Sequence, residues 1–410
     1  MGATAGGASV VGTKYGLLNQ DYILMKRIPR SVDVSRERDS GMALVHGTAS
    51  VSEMEGGRGQ MIDMDGSILI AMVLDGHGML GEVAARVAAR AISKEVEGKV
   101  FQRVIGKGLS LREYGRRNVE QLIHDAYEKA HKDVLQVYES APMEYTYPEG
   151  SSGQVFELEE HDAVPRKSSS KKKKGRGTAP KPFIYRNTES SNPSLVEFGT
   201  TASVMLVDGD FAVVSHVGDS SIVLASVEDK FLDGTLMTKP HTGHSVSERF
   251  RIGEIICEDE ELADEATVRE DGCVEVSNLA GVLSCVALSM TRAIGHLHLQ
   301  SYGVVPMPDI KFKDILPEDV CFIIASDGVW DVYTPRQASI IVWEALNNGA
   351  NPTEAARVLC DKAVELSKLT FGAADNTSAV IVLLGGLYQP KSMPDHANNE
   401  SSDTLHHYNI

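Results

Sequence analysis

The sequence predicts an α+β fold in which antiparallel sheets are covered by helices. Three observations lead there. Runs such as 68–74 (ILIAMVL) are apolar throughout, as expected of strands buried on both faces. Strand runs 202–207 and 211–214 flank Asp208-Gly209-Asp210, a hairpin signal. Strands and helices come in runs and not in strict alternation, which disfavours a doubly wound parallel sheet.

Taken in order, the first strong strand is 67–74. Residues 81–96 (GEVAARVAARAISKEV) place apolar side chains at helical spacing among good helix formers. Residues 110–140 read as one or two further helices. The strands 202–207, 211–214 and 220–225 follow, the last after the turn HVGD. Residues 320–325 (VCFIIA) and 377–384 (TSAVIVLL) are two more buried strands. Between them lie the helices 335–347 and 352–369, each opening with proline, whose fixed φ suits a first helical turn. Residues 141–197 are rich in Pro, Ser, Gly and charge and include PRKSSSKKKKGRG. Such a stretch buries too little apolar surface to offset its ordering entropy, so it reads as a largely flexible insert. The polar tail 389–410 is expected to fray. No internal repeat is visible.

The 410 residues allow two to four domains, or one large domain with insertions. Lys and Arg total 40 against 57 Asp and Glu, a net charge of −17. That balance argues against general binding of nucleic acid or anionic membranes, which need a basic surface. The five cysteines are scattered, odd in number and free of CxxC pairs, so they read as reduced, mostly buried thiols of an intracellular protein. No apolar run reaches the roughly 18 residues of a membrane span. The first residues carry no basic segment followed by an apolar one, so no secretory signal is expected. Gly2 invites a myristoylation reading, but Gly6 stands where that pattern needs Ser or Thr.

Carboxylates recur at strand ends. Asp75 follows one strand (VLDGHG), Asp327 another (IIASDGVWD) with Asp331 close behind, and Asp219 a third (SHVGDSS). Asp375 immediately precedes a fourth (ADNTS), and Asp21 stands near the start. Each alone is ordinary turn chemistry. Together, at the edges of strongly apolar strands and with few basic neighbours, they need a cation to offset their desolvation. Oxygen donors without cysteine point to a hard ion such as Mg²⁺ or Mn²⁺, and several carboxylates suit two ions about 3.5–4 Å apart. Gly76 and Gly328 would let backbone pass close to the ions, Gly76 offering its carbonyl as a ligand. His77 would stand beside them as a proton donor.

At this point VLDGHG, FGTTASVML, VGDSS, ALSMTRAIGH, IIASDGVWDV and ADNTSAVIVLL, in this order, resemble the motif series of the metal-dependent, type 2C serine/threonine protein phosphatases. The resemblance spans about 12–384, interrupted by the insert. It implies a four-layer α/β/β/α sandwich, two central antiparallel sheets flanked by helices. It implies a single catalytic domain over 1–388, with the insert at 141–197, a flap at about 237–282 and the tail at 389–410. Carried over by motif position, Asp75 bridges two metals and Gly76 supplies a carbonyl. Asp327 and Asp375 hold one metal, Asp21 serves the other through water, and Asp219 and Asp331 with Asp327 form a weaker third position. His77 is the general acid. A metal-bridged water would attack phosphorus in line, without a phosphoenzyme. Two or three Mg²⁺ or Mn²⁺ ions per chain, phosphoprotein substrates, and a cytoplasmic or nuclear location are the corresponding expectations, with the insert or flap as a docking surface.

The sequence departs from the family pattern in places. Gln20 precedes Asp21 where many members have Glu, and could hold a metal's water. Gly16 stands where many members carry a phosphate-gripping arginine. Lys14 is the nearby substitute, a point charge in place of a bidentate fork. That loss keeps alive an alternative: a catalytically weak or inactive pseudophosphatase that acts as a binding module. His296 replaces the family's acidic residue and reads as a surface histidine. The acidic run 257–271 reads as a solvated face, and the basic run 166–176 as a solvated loop, or a localisation or docking patch. IDMDGS (62–67) offers the DxD of aspartyl-phosphate hydrolases, but precedes a strand where they need it to follow one, so it reads as a turn.

Overall fold

The computed structural model describes residues 2–13, 19–30, 62–63, 67–139, 144–146, 155–160, 183–187, 194–229, 231–258, 260–277 and 286–385. Two antiparallel sheets dominate. The first has strand order Phe231–Leu236, Ser221–Glu228, Asp319–Ala325, Thr377–Gly385, Gly2–Val10 and Ile62–Asp63. The second runs Asp309–Asp314, Phe211–Val217, Ala202–Asp208, Ile68–Leu74 and Tyr22–Ile28.

Strand periodicity builds the layers. In Ile68–Leu74, alternate residues Leu69, Ala71 and Val73 pack with Met205, Val214, Ile222, Phe322 and Val380 between the two sheets. Ile68, Ile70, Met72 and Leu74 point the other way, onto helices Gly81–Arg103 and Arg116–Glu139. The first sheet's outer face, including Val223, Ile323 and Ile381, is covered by helices Pro335–Asn347 and Pro352–Phe371. The result is the expected four-layer sandwich. Both prolines open their helices behind N-caps Thr334 and Asn351, each in a full capping box.

The helical stretch 110–140 resolves into Leu111–Tyr114 and Arg116–Glu139. Two strands that sequence reading passed over, Gly2–Val10 and Tyr22–Ile28, complete the sheets. The insert differs from its expectation: Glu144–Thr146, Val155–Glu160, Phe183–Asn187 and Ser194–Leu195 pair into a four-stranded antiparallel sheet. Alternating stretches such as VFELEE and FIYRN carry strand preference that the segment's overall polarity conceals. The basic run 166–176 and the tail lie outside the described residues. The flap region holds helix Val246–Cys257 and the strands Ala266–Val268, Val274–Val276 and Val286–Leu288, with a small core of its own around Ile252, Val274 and Met290. It extends beyond the expected 237–282, taking in Leu299, Tyr302 and Val304. Its acidic run is mostly exposed. Of the four described cysteines, Cys321 and Cys360 are buried while Cys257 is exposed and Cys273 half-buried, so burial of the thiols is less general than expected.

Candidate active site

Strand pairing gathers the aspartates at one end of the sandwich. Tyr22 pairs with Leu74, so Asp21 and Asp75, one residue beyond on each strand, are brought together. Ala325 pairs with Ala379, so Asp327 and Asp375 flank the matching ends of neighbouring strands in the other sheet. Asp219 lies in the turn that carries the chain from Phe211–Val217 in one sheet to Ser221–Glu228 in the other.

The backbone around Asp75 is pinned. Its N–H donates to Thr201 Oγ1 (2.9 Å), and its carbonyl accepts from Thr201 N–H (2.8 Å) and Thr200 Oγ1 (2.9 Å). Gly76 is required by close approach: a Cβ there would lie 2.2 Å from the Gly81 carbonyl oxygen at the start of the covering helix. Gln20 Nε2 donates to the Gly78 carbonyl (2.8 Å), bracing the Asp75–Gly78 turn. His77, half-buried, places Nε2 3.7 Å from Asp75 Oδ2.

Burial first, then mutual repulsion, sets the charge of this cluster. Asp75 is pushed well above the ordinary carboxylate range by burial and then by Asp21, Asp327, Asp219 and Asp375. Asp327 is raised likewise by burial and then by Asp219, Asp331, Asp375 and Asp21. Burial lifts Asp21 to about 6 although Ser378, Asp75 and Ser326 hydrogen-bond its carboxyl. Among the described residues, no lysine or arginine pairs with Asp21, Asp75, Asp219 or Asp327. One oxygen each of Asp21, Asp219 and Asp327 is buried without a hydrogen-bond partner. An all-oxygen set with orphaned carboxylate atoms on Asp21, Asp219 and Asp327, and no lysine or arginine paired with them among the described residues, fits a hard divalent ion.

Comparison with known proteins gives the family. The model of the protein phosphatase 2C family matches residues 165–368. Probable protein phosphatase 2C 6 of Arabidopsis thaliana is 30% identical over 215 residues, 50% of this chain and 42% of that protein. Mitochondrial protein phosphatase 1K of Xenopus laevis is 30% identical over 214 residues, 52% of this chain and 50% of that one. The chain belongs to the protein phosphatase 2C family. It spans half or less of the length of these curated relatives. A solved serine-threonine phosphatase 2C from Toxoplasma gondii shares the fold, with a TM-score of 0.60 at 16% identity, covering 93% of this chain and 95% of that one.

The family match begins after Asp75 and His77 and ends before Asp375, so those residues join the site through the strand pairing described above. Asp331 caps the short helix Asp327–Trp330 and acts electrostatically on Asp327. Lys14 lies outside the described residues, as does Gly16. Part of IDMDGS does too, although Ile62–Asp63 pairs with Gly2–Val10. Sequence reading missed Thr200, Thr201, Ser326 and Ser378, whose hydroxyls hold the aspartates in place. The signal was present in the TTAS, IIASD and NTS stretches of the motifs.

His296 corrects an expectation. It is 3% exposed and not a surface residue. Its backbone is left-handed (φ 50°), and burial followed by the neighbouring His77 and His131 lowers its pKa to about 3. In a second set of donors, His216, His241 and Asp309, one ligand atom of each lies within 4.8 Å of the others, and His241 bonds Gly218, the residue before Asp219. As bonded, His216 Nε2 meets the Lys239 carbonyl (2.8 Å) and His241 Nδ1 accepts from Gly218 N–H (3.3 Å). That places the His241 proton on Nε2, 3.3 Å from Asp309 Oδ2, while Arg292 Nη1 holds Asp309 Oδ1 (2.9 Å). A cation there would have to displace both.

Proposed function

We propose that this chain is a Mg²⁺- or Mn²⁺-dependent protein phosphatase that hydrolyses phosphoserine and phosphothreonine in proteins. The observation that carries the reading is the cluster of buried and half-buried aspartates, with His77 at its edge, in which, among the described residues, no lysine or arginine pairs with Asp21, Asp75, Asp219 or Asp327. The names of the family relatives support it. Asp75, the Gly76 carbonyl, Asp327 and Asp375 would hold the ions, Asp21 through water, with Asp219 and Asp331 at a third, weaker position. Bound there, such ions supply a nucleophilic water at neutral pH and neutralise charge on the phosphoryl group.

The chain's own residues do the rest. His77 donates its proton to the departing seryl or threonyl oxygen, a poor leaving group unless protonated. Its Nε2 lies 3.7 Å from Asp75 Oδ2, which keeps the imidazole at the edge of the aspartate cluster. Thr200 and Thr201 hold the Asp75 backbone so that its carboxylate stays aimed. Lys14 is assigned the substrate phosphate.

The test is hydrolysis of a phosphothreonine peptide by the purified chain with Mn²⁺, with Mg²⁺ and with excess EDTA, beside Asp75→Ala. Metal-dependent turnover lost with EDTA and in the variant is the expected result. A folded wild-type chain inert with both metals would overturn the reading in favour of a binding module.

A further inference from the structure

Behind His77 lies a buried polar group that the reaction as described leaves without a role. Strand Phe198–Thr200 pairs on one side with Gly76–Gly78, Gly199 opposite His77, and on the other with Ile294–Gly295. His296 follows that strand and its ring folds back over Gly199. A Cβ at Gly199 would lie 2.3 Å from His296 Cδ2, so only glycine admits the ring there. The His77 and His296 ring centroids stand 6.5 Å apart and tilted by 43°. On its far side, His296 Nδ1 is 3.9 Å from Glu197 Oε1. Glu197 is itself buried, its Oε1 accepting from His298 N–H (3.1 Å).

The polar atoms here are unusually under-satisfied. Both ring nitrogens of His296, Nε2 of His298, Oε2 of Glu197 and Nε2 of Gln300 are buried without a hydrogen-bond partner. Each such atom keeps its full desolvation cost unless water or another group meets it. A chain that only needed to fill this space would use apolar side chains, as the neighbouring Phe198 and Ile294 do. The left-handed backbone at His296 adds to that cost. Costs of this kind persist where orientation of a reacting group repays them.

We propose that His296 and Glu197 are positioning residues for His77: the His296 imidazole, laid across Gly199 and backed by the Glu197 carboxyl, fixes the orientation in which His77 meets the leaving oxygen. The centroid spacing is too long for a direct ring-to-ring hydrogen bond and suits one bridging water, which would also satisfy a ring nitrogen of His296. His296 remains neutral, so it can accept as well as donate in that bridge. This rests on the reading of His77 as general acid.

Leaving-group dependence separates positioning of an acid from general disruption. A threonyl oxygen needs the proton; p-nitrophenolate does not. The variants are His296→Asn, since Asn tolerates a left-handed backbone, and Glu197→Gln, which keeps the shape. His77→Ala is the reference, and kcat and KM are measured on a phosphothreonine peptide and on p-nitrophenyl phosphate. For His77→Ala the loss of kcat on the peptide should exceed that on the aryl ester by about a hundredfold. His296→Asn should show the same discrimination at about tenfold, and Glu197→Gln a smaller one, with KM little changed. If His77→Ala fails to discriminate, the general-acid reading itself fails. If it discriminates while both other variants lose the two substrates equally, or lose neither, the positioning role is overturned and the general acid stands. Should His296→Asn not fold, Glu197→Gln alone decides by the same comparison.

Discussion

Two buried carboxylate sites in this molecule are built on opposite principles. Glu248, in the flap helix, is 3% exposed and surrounded by cations. Arg292 Nη2 reaches its Oε1 at 2.6 Å, and Arg251 Nη2 and Thr291 Oγ1 reach its Oε2 at 2.7 Å. Burial pushes its pKa up, but these bonds outweigh burial and hold it at about 2. At the sandwich end, Asp75 is buried and Asp327 half-buried, yet their neighbours are other carboxylates and their pKa values rise. One site is closed with the chain's own charges. At the other, which we term open, no lysine or arginine among the described residues pairs with Asp75 or Asp327. The contrast separates a structural carboxylate from one proposed as a metal ligand.

The largest test of that contrast is to neutralise a member of the open site. Asp327→Asn should cut metal-dependent hydrolysis of a phosphothreonine peptide by about a thousandfold or more, on the scale at which metal and electrostatic stabilisation act. The same substitution should raise the melting temperature in EDTA, because it removes a buried charge from a repelling set. Loss of activity with loss of metal-free stability would place Asp327 in the structural class. Glu248→Gln should do the reverse. Breaking a buried, doubly paired carboxylate leaves Arg251 without its carboxylate and Arg292 with Asp309 alone, and should destabilise by about 3 kcal/mol in urea unfolding. A change below about 1 kcal/mol would show that Glu248 is not carrying the flap.

The two sites also give opposite pH slopes. Asp21 has a folded pKa of about 6, above its usual 3.8, so without metal the folded state binds protons more tightly than the unfolded chain. Its contribution is fully present below about 3.8 and is lost as pH rises through 6. Glu248, held near 2 against 4.5, contributes above 4.5 and loses that contribution as pH falls toward 2. Melting in EDTA should therefore fall by a few degrees between about pH 5 and 7. Added Mg²⁺ or Mn²⁺ should recover more at pH 7 than at pH 5, since deprotonated carboxylates bind cations. A flat profile in EDTA would mean that the aspartates do not repel one another as their placement implies.

Much of the open site is legible in the amino-acid sequence. Asp75 and Asp327 stand after unbroken apolar runs, where a carboxylate is costly without a partner, and the glycines beside them signal close backbone approach. The strands Gly2–Val10 and Tyr22–Ile28 are not legible. The first is a run of glycine, alanine and small polar residues, and its burial comes from pairing with Thr377–Gly385 and from helix Pro352–Phe371 above it. The insert's strands are hidden by the charge around them. His296 reads wrongly as a surface residue because what buries it is the absence of a side chain at Gly199, distant in the chain, together with a left-handed backbone that sequence pattern does not mark. The closed site, too, depends on Arg251, Thr291 and Arg292 meeting Glu248 from separate segments, which spacing alone does not foretell.

A third kind of carboxylate completes the comparison. Glu128 pairs with Lys132 one turn along helix Arg116–Glu139 at 2.5 Å, shorter than any bond to Glu248, yet both side chains are 62% exposed. If distance set the strength, this pair would matter more than either pair of Glu248. Water screens it, and two long side chains must be ordered to make it, so its net contribution is about 0.3–0.5 kcal/mol at most. Glu128→Gln should therefore leave the urea midpoint nearly unmoved and activity intact. Raising salt from about 0.05 to 0.5 M should erase what little difference there is. A loss of more than about 1 kcal/mol would mean that proximity, and not burial, sorts the carboxylates of this protein, and the division between closed and open sites would have to be redrawn.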